Sequence, residues 1–334
     1  MRTPPTIVRR LVIAPLVVAV EAILVALSPV ILLLALLASP VAGRWRPLRA
    51  ALIVLSGTTL HMVAILACLV LWIVSGFGYA IRTDARQRAH DALMRWFVRC
   101  LYETIVVVAR VRIEVVASAE AGAVLSSHER PVLLLGRHAG EGDTLLVIYE
   151  LLVPHRRGPR LVMHERLRLD PLVDVLGGRL PNRFIDPRGG GVEHEIAELA
   201  ASLHPRDALV IFPEGRNFSE GHRERAIERL RDAGHAQQAE AAQAMQRVSA
   251  PRPGGALAAI DAAPGADVVV MGHAGFPFGL REVWRHLPEE QVIEVRLWHV
   301  PREEVPGERA EQIRWLYDCW RELDEWVVEI ERPG

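Results

Sequence analysis

The sequence predicts an α/β domain with a mixed, mostly parallel sheet flanked by helices, preceded by an N-terminal membrane hairpin of two helices. Two long apolar runs lie before residue 84, and after it short apolar runs alternate with amphipathic segments. The short runs are continuously apolar, which is typical of strands that helices cover on both faces. We therefore divide the chain into a hairpin, residues 1–84, and an α/β domain, residues 85–334.

The hairpin is predicted from two segments that each exceed the ~20 residues needed to cross a hydrocarbon core. Residues 11–38 contain one ionisable group, Glu21, and residues 50–78 contain none besides His61. A signal peptide has a shorter apolar stretch and is not followed by a second apolar run. We interpret the segments as membrane helices rather than buried core helices. We expect Glu21 and His61 to pair, because an isolated charge in hydrocarbon is costly.

Charge is distributed unevenly along the chain. Residues 1–100 contain eleven Arg and three acidic residues, a net charge of +8, so the remainder carries −9 of the total of −1. These arginines flank both helices and their connector. The positive-inside rule therefore allows either a spanning hairpin or a hairpin inserted into one leaflet. Both interpretations place the α/β domain on the cytoplasmic face of the cell inner membrane.

The residue composition excludes some chemistry. The 39 Lys and Arg residues are all Arg, since the sequence contains no lysine. A Walker A phosphate loop and a Schiff-base lysine are therefore excluded. The cysteines (Cys68, Cys100 and Cys319) are scattered without metal-ligand spacing, and we expect them to be reduced thiols. No metal, resident cofactor or nucleic-acid partner is expected.

The α/β domain is predicted from a regular succession of elements. The predicted strands are 112–117, 131–136, 160–164, 183–186, 208–212, 267–273 and 292–298. The predicted helices lie near 142–153, 168–177, 192–204, 222–234 and 254–262. Residues 235–248 predict a solvated helix or an ordered insert. The C-terminal amphipathic helix, 309–331, has one apolar face that contacts either the core or a membrane. That face contains Ile313, Leu316, Trp320, Leu323, Val327 and Ile330.

The motif "GRHAGEGD" places His138 and Asp143 after strand 131–136, at the sheet edge where ligands of α/β proteins bind. An imidazole titrates near neutrality, and a nearby carboxylate can fix its tautomer and stabilise its protonated form. The two side chains can meet if Asp143 lies in the first turn of the following helix. The motif therefore predicts a general base with its orienting carboxylate, or alternatively a polar loop with an acidic residue at a helix N-terminus.

Two glycine-rich turns that contain arginine predict anion sites. "IDPRGGG" places Arg188 before the helix at 192, and "PRPGG" places Arg252 before the helix at 254. Backbone N–H groups at a helix N-terminus suit a phosphate group, and a guanidinium adds two donors. Each motif also fits an ordinary turn.

The motif "FPEGRN" is a fourth candidate, directly after strand 208–212. It contains Glu214, Gly215, Arg216 and Asn217, so a carboxylate and a guanidinium share one tight loop. This pairing indicates either a binding site or a surface salt bridge.

In this order behind an apolar hairpin, the four motifs resemble those of the glycerophospholipid acyltransferase family, which includes the lysophosphatidic acid acyltransferases. The resemblance covers roughly residues 130–275. The most similar variant has "EGTNFT" or "EGTRFT" followed by "PR-x-x-G", which stand here as "EGRNFS" and "PRPGG". The chain departs from the family pattern at Arg137 in place of Asn, at the inserted Pro187, at Arg216 in place of Thr, and at Asn217 where many members have Arg.

The resemblance implies transfer of a fatty acyl group from acyl-CoA or acyl-carrier protein to a hydroxyl of a lysophospholipid. The first expectation is 1-acylglycerol-3-phosphate as acceptor and phosphatidic acid as product. His138 would be the general base, and Asp143 would orient it. Membrane lipid, the lysophospholipid and the acyl-CoA donor are the expected partners. The residues implied in substrate binding are Arg188, Glu214, Gly215, Arg216, Asn217 and Arg252.

Two other functions fit the same residues. One is a lipid hydrolase or thioesterase that uses the same His–Asp pair to activate water. The other is a non-catalytic lipid-binding protein anchored in the membrane.

Overall fold

The structure is a computed structural model that describes residues 3–43, 45–140, 142–186, 190–275, 280–287 and 289–332. Within these residues the strands are β1 (Val111–Ala117), β2 (Val132–Gly136), β3 (Gly158–His164), β4 (Arg183–Ile185), β5 (Asp207–Ile211), β6 (Asp267–Ala274) and β7 (Gln291–Val300). The α-helices are α1 (Thr6–Val8), α2 (Ala14–Ala26), α3 (Ser28–Ala42), α4 (Arg46–Val74), α5 (Asp84–Ala109), α6 (Ala119–Ser127), α7 (Asp143–Leu152), α8 (Val192–Ala201), α9 (Glu220–Asp232), α10 (Ala236–Ala244), α11 (Pro253–Ala262), α12 (Leu280–His286) and α13 (Arg309–Ile330). Short 3-10 or π segments are Arg9–Ile13, Glu165–Leu169, Val173–Gly177 and Arg302–Glu304.

The strands of the described residues form a sheet in the order β1-β7-β6-β2-β5-β3-β4. β2 pairs parallel with β5 and β6, β5 pairs parallel with β3, and β3 pairs parallel with β4. Only the β6–β7 pair among the registers described is antiparallel. The predicted mixed, mostly parallel sheet is confirmed, and each predicted strand matches an observed one within two residues at either end.

The chain divides into two compact units. The first contains Met1–Val111, Val162–Gly190 and Trp284–Gln291, and the second contains Arg112–Leu161, Gly191–Val283 and Val292–Gly334. The first unit contains residues on both sides of the predicted division at residues 84 and 85, which stays a prediction. These residues group together because α5 packs along α4, and the π segment after β3 also contacts α4.

The second unit has its core around β2, whose residues are fully buried. In this unit α8 packs against α11, and α13 contacts β6, α10 and α11. The apolar face of α13 is buried at Leu316, Trp320, Leu323 and Val327. Of the two interpretations of this helix, the core-facing one is therefore confirmed.

The first unit contains the apolar N-terminal helices, in which α4 packs against α2 and α3. Among the described residues, α4 is the single helix that is long and apolar enough to cross a membrane. The segments Thr6–Ala26 and Ser28–Ala42 meet the same test only together, with a bend of 57° between them. Only 22% of the most apolar window of α4 is buried, so this helix exposes its apolar surface. That exposure supports membrane association.

The predicted continuous helix over 11–38 is wrong, because the chain bends at Leu27 between α2 and α3. Pro29 lies in the first turn of α3. Proline has no backbone N–H and cannot donate to the carbonyl four residues earlier, which favours a break at this point. The second predicted helix, 50–78, is observed as α4, which begins and ends four residues earlier.

The predicted pair of Glu21 and His61 is confirmed within the first unit. His61 Nδ1 lies 2.5 Å from Glu21 Oε1, and its Nε2 lies 3.2 Å from Asp170 Oδ1. The predicted helix over 168–177 is replaced by a 3-10 segment and a π segment. Asp170 separates them because its carboxylate accepts the Val173 N–H at 2.8 Å and so begins the second segment.

A buried carboxylate in the second unit predicts a large stability effect. Asp324 of α13 accepts hydrogen bonds from the backbone N–H groups of Gln246, Arg247 and Val248. Asp324→Ala leaves these donors without their acceptor, and we expect the free energy of unfolding to fall by about 2–4 kcal/mol. Chemical denaturation of the detergent-solubilised chain measures this change.

Asp318→Ala on the same helix is the matched control. Its carboxylate is 57% exposed and forms a surface ion pair, so a change below about 1 kcal/mol is expected. Equal destabilisation by the two substitutions would contradict the role assigned to Asp324.

Candidate active site

The register of three parallel strands decides which residues meet at the edge of the sheet. Gly136 of β2 lies opposite Met271 of β6, and Leu135 lies opposite Ile211 of β5. Continued along the chain, these registers place His138 level with His273 on one side and with Glu214 on the other. Sequence spacing cannot provide this alignment, because pairing register depends on the neighbouring strands.

His138 and Asp143 form the predicted pair. His138 Nδ1 lies 3.1 Å from Asp143 Oδ2, and the same oxygen accepts the Gly140 N–H at 2.8 Å. Asp143 is the first residue of α7 and is fully buried, whereas the His138 side chain is 21% exposed. With Nδ1–H donating to the carboxylate, Nε2 carries the lone pair that can accept a proton.

The backbone of His138 is held at both ends of the residue. Its N–H donates to Glu214 Oε1 at 2.9 Å, and its carbonyl accepts the Phe218 N–H at 2.8 Å. The imidazole stacks on the Phe212 ring with centroids 4.6 Å apart. A Cβ at Gly136 would lie 3.0 Å from that ring, so glycine is needed for Phe212 to approach. The imidazole plane is therefore set by the loop that follows β5.

Glu214 was predicted to contact substrate, and the structure directs its carboxylate into the protein. Its second oxygen accepts the Ser249 N–H at 2.9 Å, so both oxygens have backbone donors. Burial raises the pKa of this carboxyl to about 7, although the two N–H groups and the Arg137 charge oppose the shift. Glu214 thus joins the loops that carry His138 and Ser249.

Arg137, which directly precedes His138, is buried, and the sequence predicts no role for it. Its guanidinium donates to the carbonyl oxygens of His273 and Arg247, the latter at 2.8 Å. Burial lowers the pKa of this group, and surrounding carboxylates, Glu214 first among them, oppose the change. Arg137 therefore holds the end of β6 and the loop before α11 against β2.

A cavity of ≈ 180 Å³ lies beside the "FPEGRN" loop in the second unit. Its lining contains Arg216 and Arg252, both predicted, together with Arg229, His222 and His235. The Arg252 N–H donates to the Pro213 carbonyl at 2.8 Å, which joins the two predicted loops. His222 and Arg229 lie on α9, and His235 lies in the turn after it.

The cavity carries an excess of positive charge. Burial lowers the pKa of the Arg252 guanidinium, and the charges of Arg229 and Arg216 lower it further. Within the part of the chain that the structure describes, no carboxylate forms an ion pair with these three groups. Glu214 also lines the cavity, but both of its oxygens accept backbone N–H groups rather than a guanidinium. Three like charges in one cavity favour an anionic ligand.

The remaining predicted residues have different outcomes. Gly215 has φ +73°, a left-handed conformation that favours glycine, and a Cβ there would lie 3.3 Å from the Arg252 side chain. The Asn217 carbonyl accepts a hydrogen bond from His222 Nδ1 at 3.1 Å. Arg188 lies outside the described residues.

Sequence reasoning missed two features of the site. His273 lies near the end of β6, after four apolar residues and Gly272. A histidine at the end of an apolar strand is the sequence feature that could have identified it. Arg229 lies on the amphipathic helix α9, where a charged residue is ordinary and carried no signal.

Comparison with known protein families finds a match that covers the His138–Asp143 pair. Residues 111–271 match the family model described as Acyltransferase. The matched segment contains His138, Asp143, Glu214 and Arg252, whereas His273 lies two residues beyond it. A comparison with curated proteins found no match.

The buried carboxyl of Glu214 predicts a pH-dependent stability. Because its folded-state pKa, about 7, lies above its ordinary value, the folded state binds more protons than the unfolded state between about pH 4.5 and 7. The free energy of unfolding should therefore fall as the pH rises through this interval. Denaturation of the wild type and of Glu214→Gln at several pH values measures the contribution.

Glu214→Gln cannot ionise, so its stability should depend less steeply on pH in this interval. The same slope in both proteins would show that Glu214 does not carry the linkage.

Proposed function

Residues 111–271 belong to the glycerophospholipid acyltransferase family, so the protein is an acyltransferase, and we propose that it acylates a phosphorylated lysolipid. The proposed donor is acyl-CoA or acyl-carrier protein, and the first proposed acceptor is 1-acylglycerol-3-phosphate. The observation that carries the mechanism is the 3.1 Å contact between His138 Nδ1 and Asp143 Oδ2 within the matched segment.

The proposed reaction is a direct transfer. His138 Nε2 takes the proton of the acceptor hydroxyl as that oxygen attacks the thioester carbonyl carbon. The resulting tetrahedral intermediate collapses with cleavage of the C–S bond, and the imidazolium returns its proton to the leaving thiolate. Asp143 fixes the tautomer that leaves the Nε2 lone pair free before the transfer, and it stabilises the imidazolium that forms.

The proposed acceptor class rests on the charged cavity. Arg216, Arg229 and Arg252 line a volume of ≈ 180 Å³ without carboxylate partners among the described residues. A phosphomonoester supplies the missing negative charge and accepts paired guanidinium donors. The positive charge of the cavity favours a phosphorylated acceptor over a neutral one.

Membrane association is proposed from the first unit. α4 is long and apolar enough to span a bilayer and exposes large apolar side chains, among them Val54, Leu69 and Val70. Both the acceptor and the product of the proposed reaction are lipids, so an enzyme anchored at the inner membrane meets them where they reside. The cytoplasmic face is proposed because acyl-CoA and acyl-carrier protein are cytoplasmic donors.

The decisive assay offers one labelled acyl-CoA to the purified full chain with a panel of lysophospholipids, and identifies products by mass spectrometry. His138→Ala should lower kcat for transfer by a factor on the order of 10²–10⁴ without changing the thermal unfolding midpoint. The loss follows from removal of the general base.

His194→Ala is the matched control, because this histidine of α8 is 75% exposed and remote from the pair in sequence. Retention of most transfer activity by His138→Ala would refute the mechanism. Free fatty acid released at the same rate with and without acceptor would instead favour a thioesterase or lipid hydrolase. No turnover with any acceptor or with water would favour a lipid-binding protein.

Arg229 provides a separate test of the acceptor class. Arg229→Ala removes one of three cations, and we expect KM for a lysophosphatidic acid acceptor to rise about 10-fold with little change in kcat. KM for a monoacylglycerol without phosphate should not change.

Arg314→Ala on α13 is the control, since this arginine is exposed and pairs only with a neighbouring surface acid among the described residues. An unchanged KM for the phosphorylated acceptor in Arg229→Ala would remove Arg229 from the phosphate site.

A further inference from the structure

Asp143 lies between two imidazoles. His138 Nδ1 is 3.1 Å from Oδ2, and His273 Nε2 is 3.3 Å from Oδ1. Both Asp143 and His273 are 0% exposed, so water does not compete for this contact. A buried carboxylate with one oxygen lacking a donor is costly, and His273 stands at the position that can supply one.

The backbone of His273 is fixed at the same place. Its carbonyl accepts the buried Arg137 guanidinium, and the preceding Met271 carbonyl accepts the Arg137 N–H at 3.0 Å. Arg137 directly precedes His138 in the chain. The backbone that carries the His273 imidazole is therefore fixed against the backbone that carries His138.

We propose that His273 is a positioning residue for the acyl transfer, acting through Asp143. Its Nε2–H donates to Asp143 Oδ1 and fixes the rotation of the carboxylate, so that Oδ2 points at His138 Nδ1. This inference rests on the proposed function and extends it to a residue beyond the segment that matches the family. His273 itself is buried and does not touch the acceptor or the donor.

The ionisation of Asp143 agrees with this arrangement. Burial alone raises the pKa of the carboxyl, but hydrogen bonds from His138, His273 and the Gly140 N–H hold it well below its usual range. The charged or titratable groups that face Asp143 are His138 and Arg137 from the β2 side and His273 from β6. Removal of the His273 donor should therefore weaken the anionic form of Asp143.

The test uses the full-length protein with three substitutions. His273→Leu keeps the approximate volume and removes the donor, whereas His273→Gln retains an N–H near the position of Nε2. His299→Leu is the matched control, because His299 is a histidine of the neighbouring strand β7 whose Nε2 lies 3.7 Å from a different carboxylate, Asp267. Steady-state kinetics are measured across the pH range, with thermal unfolding of each variant.

His273→Leu should lower kcat about 10-fold to 100-fold, with KM for both substrates unchanged, because the base is misoriented rather than the substrates displaced. The acidic limb of the pH profile of kcat/KM should move downward by about one pH unit, because a weakened contact with the Asp143 carboxylate stabilises the protonated form of the base less. His273→Gln should recover most of kcat and the wild-type limb. His299→Leu should behave as the wild type.

Wild-type kcat in His273→Leu would overturn the proposal. A lower kcat in His273→Leu would also overturn the proposal if KM rises, the acidic limb does not move and His273→Gln recovers no activity. These three results together would indicate a structural role only.

A readout independent of acyl transfer separates this proposal from the proposed function. Diethyl pyrocarbonate modifies the partly exposed His138 imidazole, and mass spectrometry follows the rate of this modification against pH. A pH dependence shifted in His273→Leu and restored in His273→Gln supports the positioning role even if no acceptor is turned over. Identical dependence in all variants overturns it even if transfer is observed.

Discussion

The parallel register of β2 between β5 and β6 is the constraint on which the site depends. β2 is buried on all sides, so its side chains must pack in one register with both neighbours. That register brings the end of β5 and the end of β6 to either side of His138. A slip of one residue would turn His138 to the opposite face of the sheet and move it out of alignment with His273 and Glu214.

Buried polar groups then lock the loops that extend from this edge. Glu214 accepts N–H groups from the loop of His138 and from the loop between α10 and α11, and Asp324 accepts three N–H groups from this second loop. Arg137 supplies a buried positive charge among these carboxylates. Because each such group is expensive to leave unsatisfied, the loops have few alternative arrangements. The backbone of His138, the proposed general base, is consequently held in place by these contacts.

In the first unit, polar side chains on apolar helices are likewise paired with other polar side chains. Glu21 and His61 lie on apolar helices, where Glu21 Oε1 contacts one ring nitrogen of His61 and Asp170 contacts the other. Arg9 is buried and paired with Asp174 at 2.9 Å. These pairs tie α2 and α4 to the short segments after β3, so helices with exposed apolar surfaces still have a defined arrangement.

The sequence alone determined the strands, the apolar helices and the His138–Asp143 pair, because these depend on local periodicity and on short spacings along the chain. It also indicated the arginines of two loops through their glycine-rich context. It could not place His273, Arg229 or the buried carboxylate of Glu214, since their roles come from register and from packing between distant segments. The bend at Leu27 was not predicted either, because the apolar run is continuous in hydropathy although Pro29 interrupts the helix. Tertiary structure decided which polar side chains turn inward to hold the base and which line the cavity, because burial and partner distance depend on neighbours that the linear pattern does not specify.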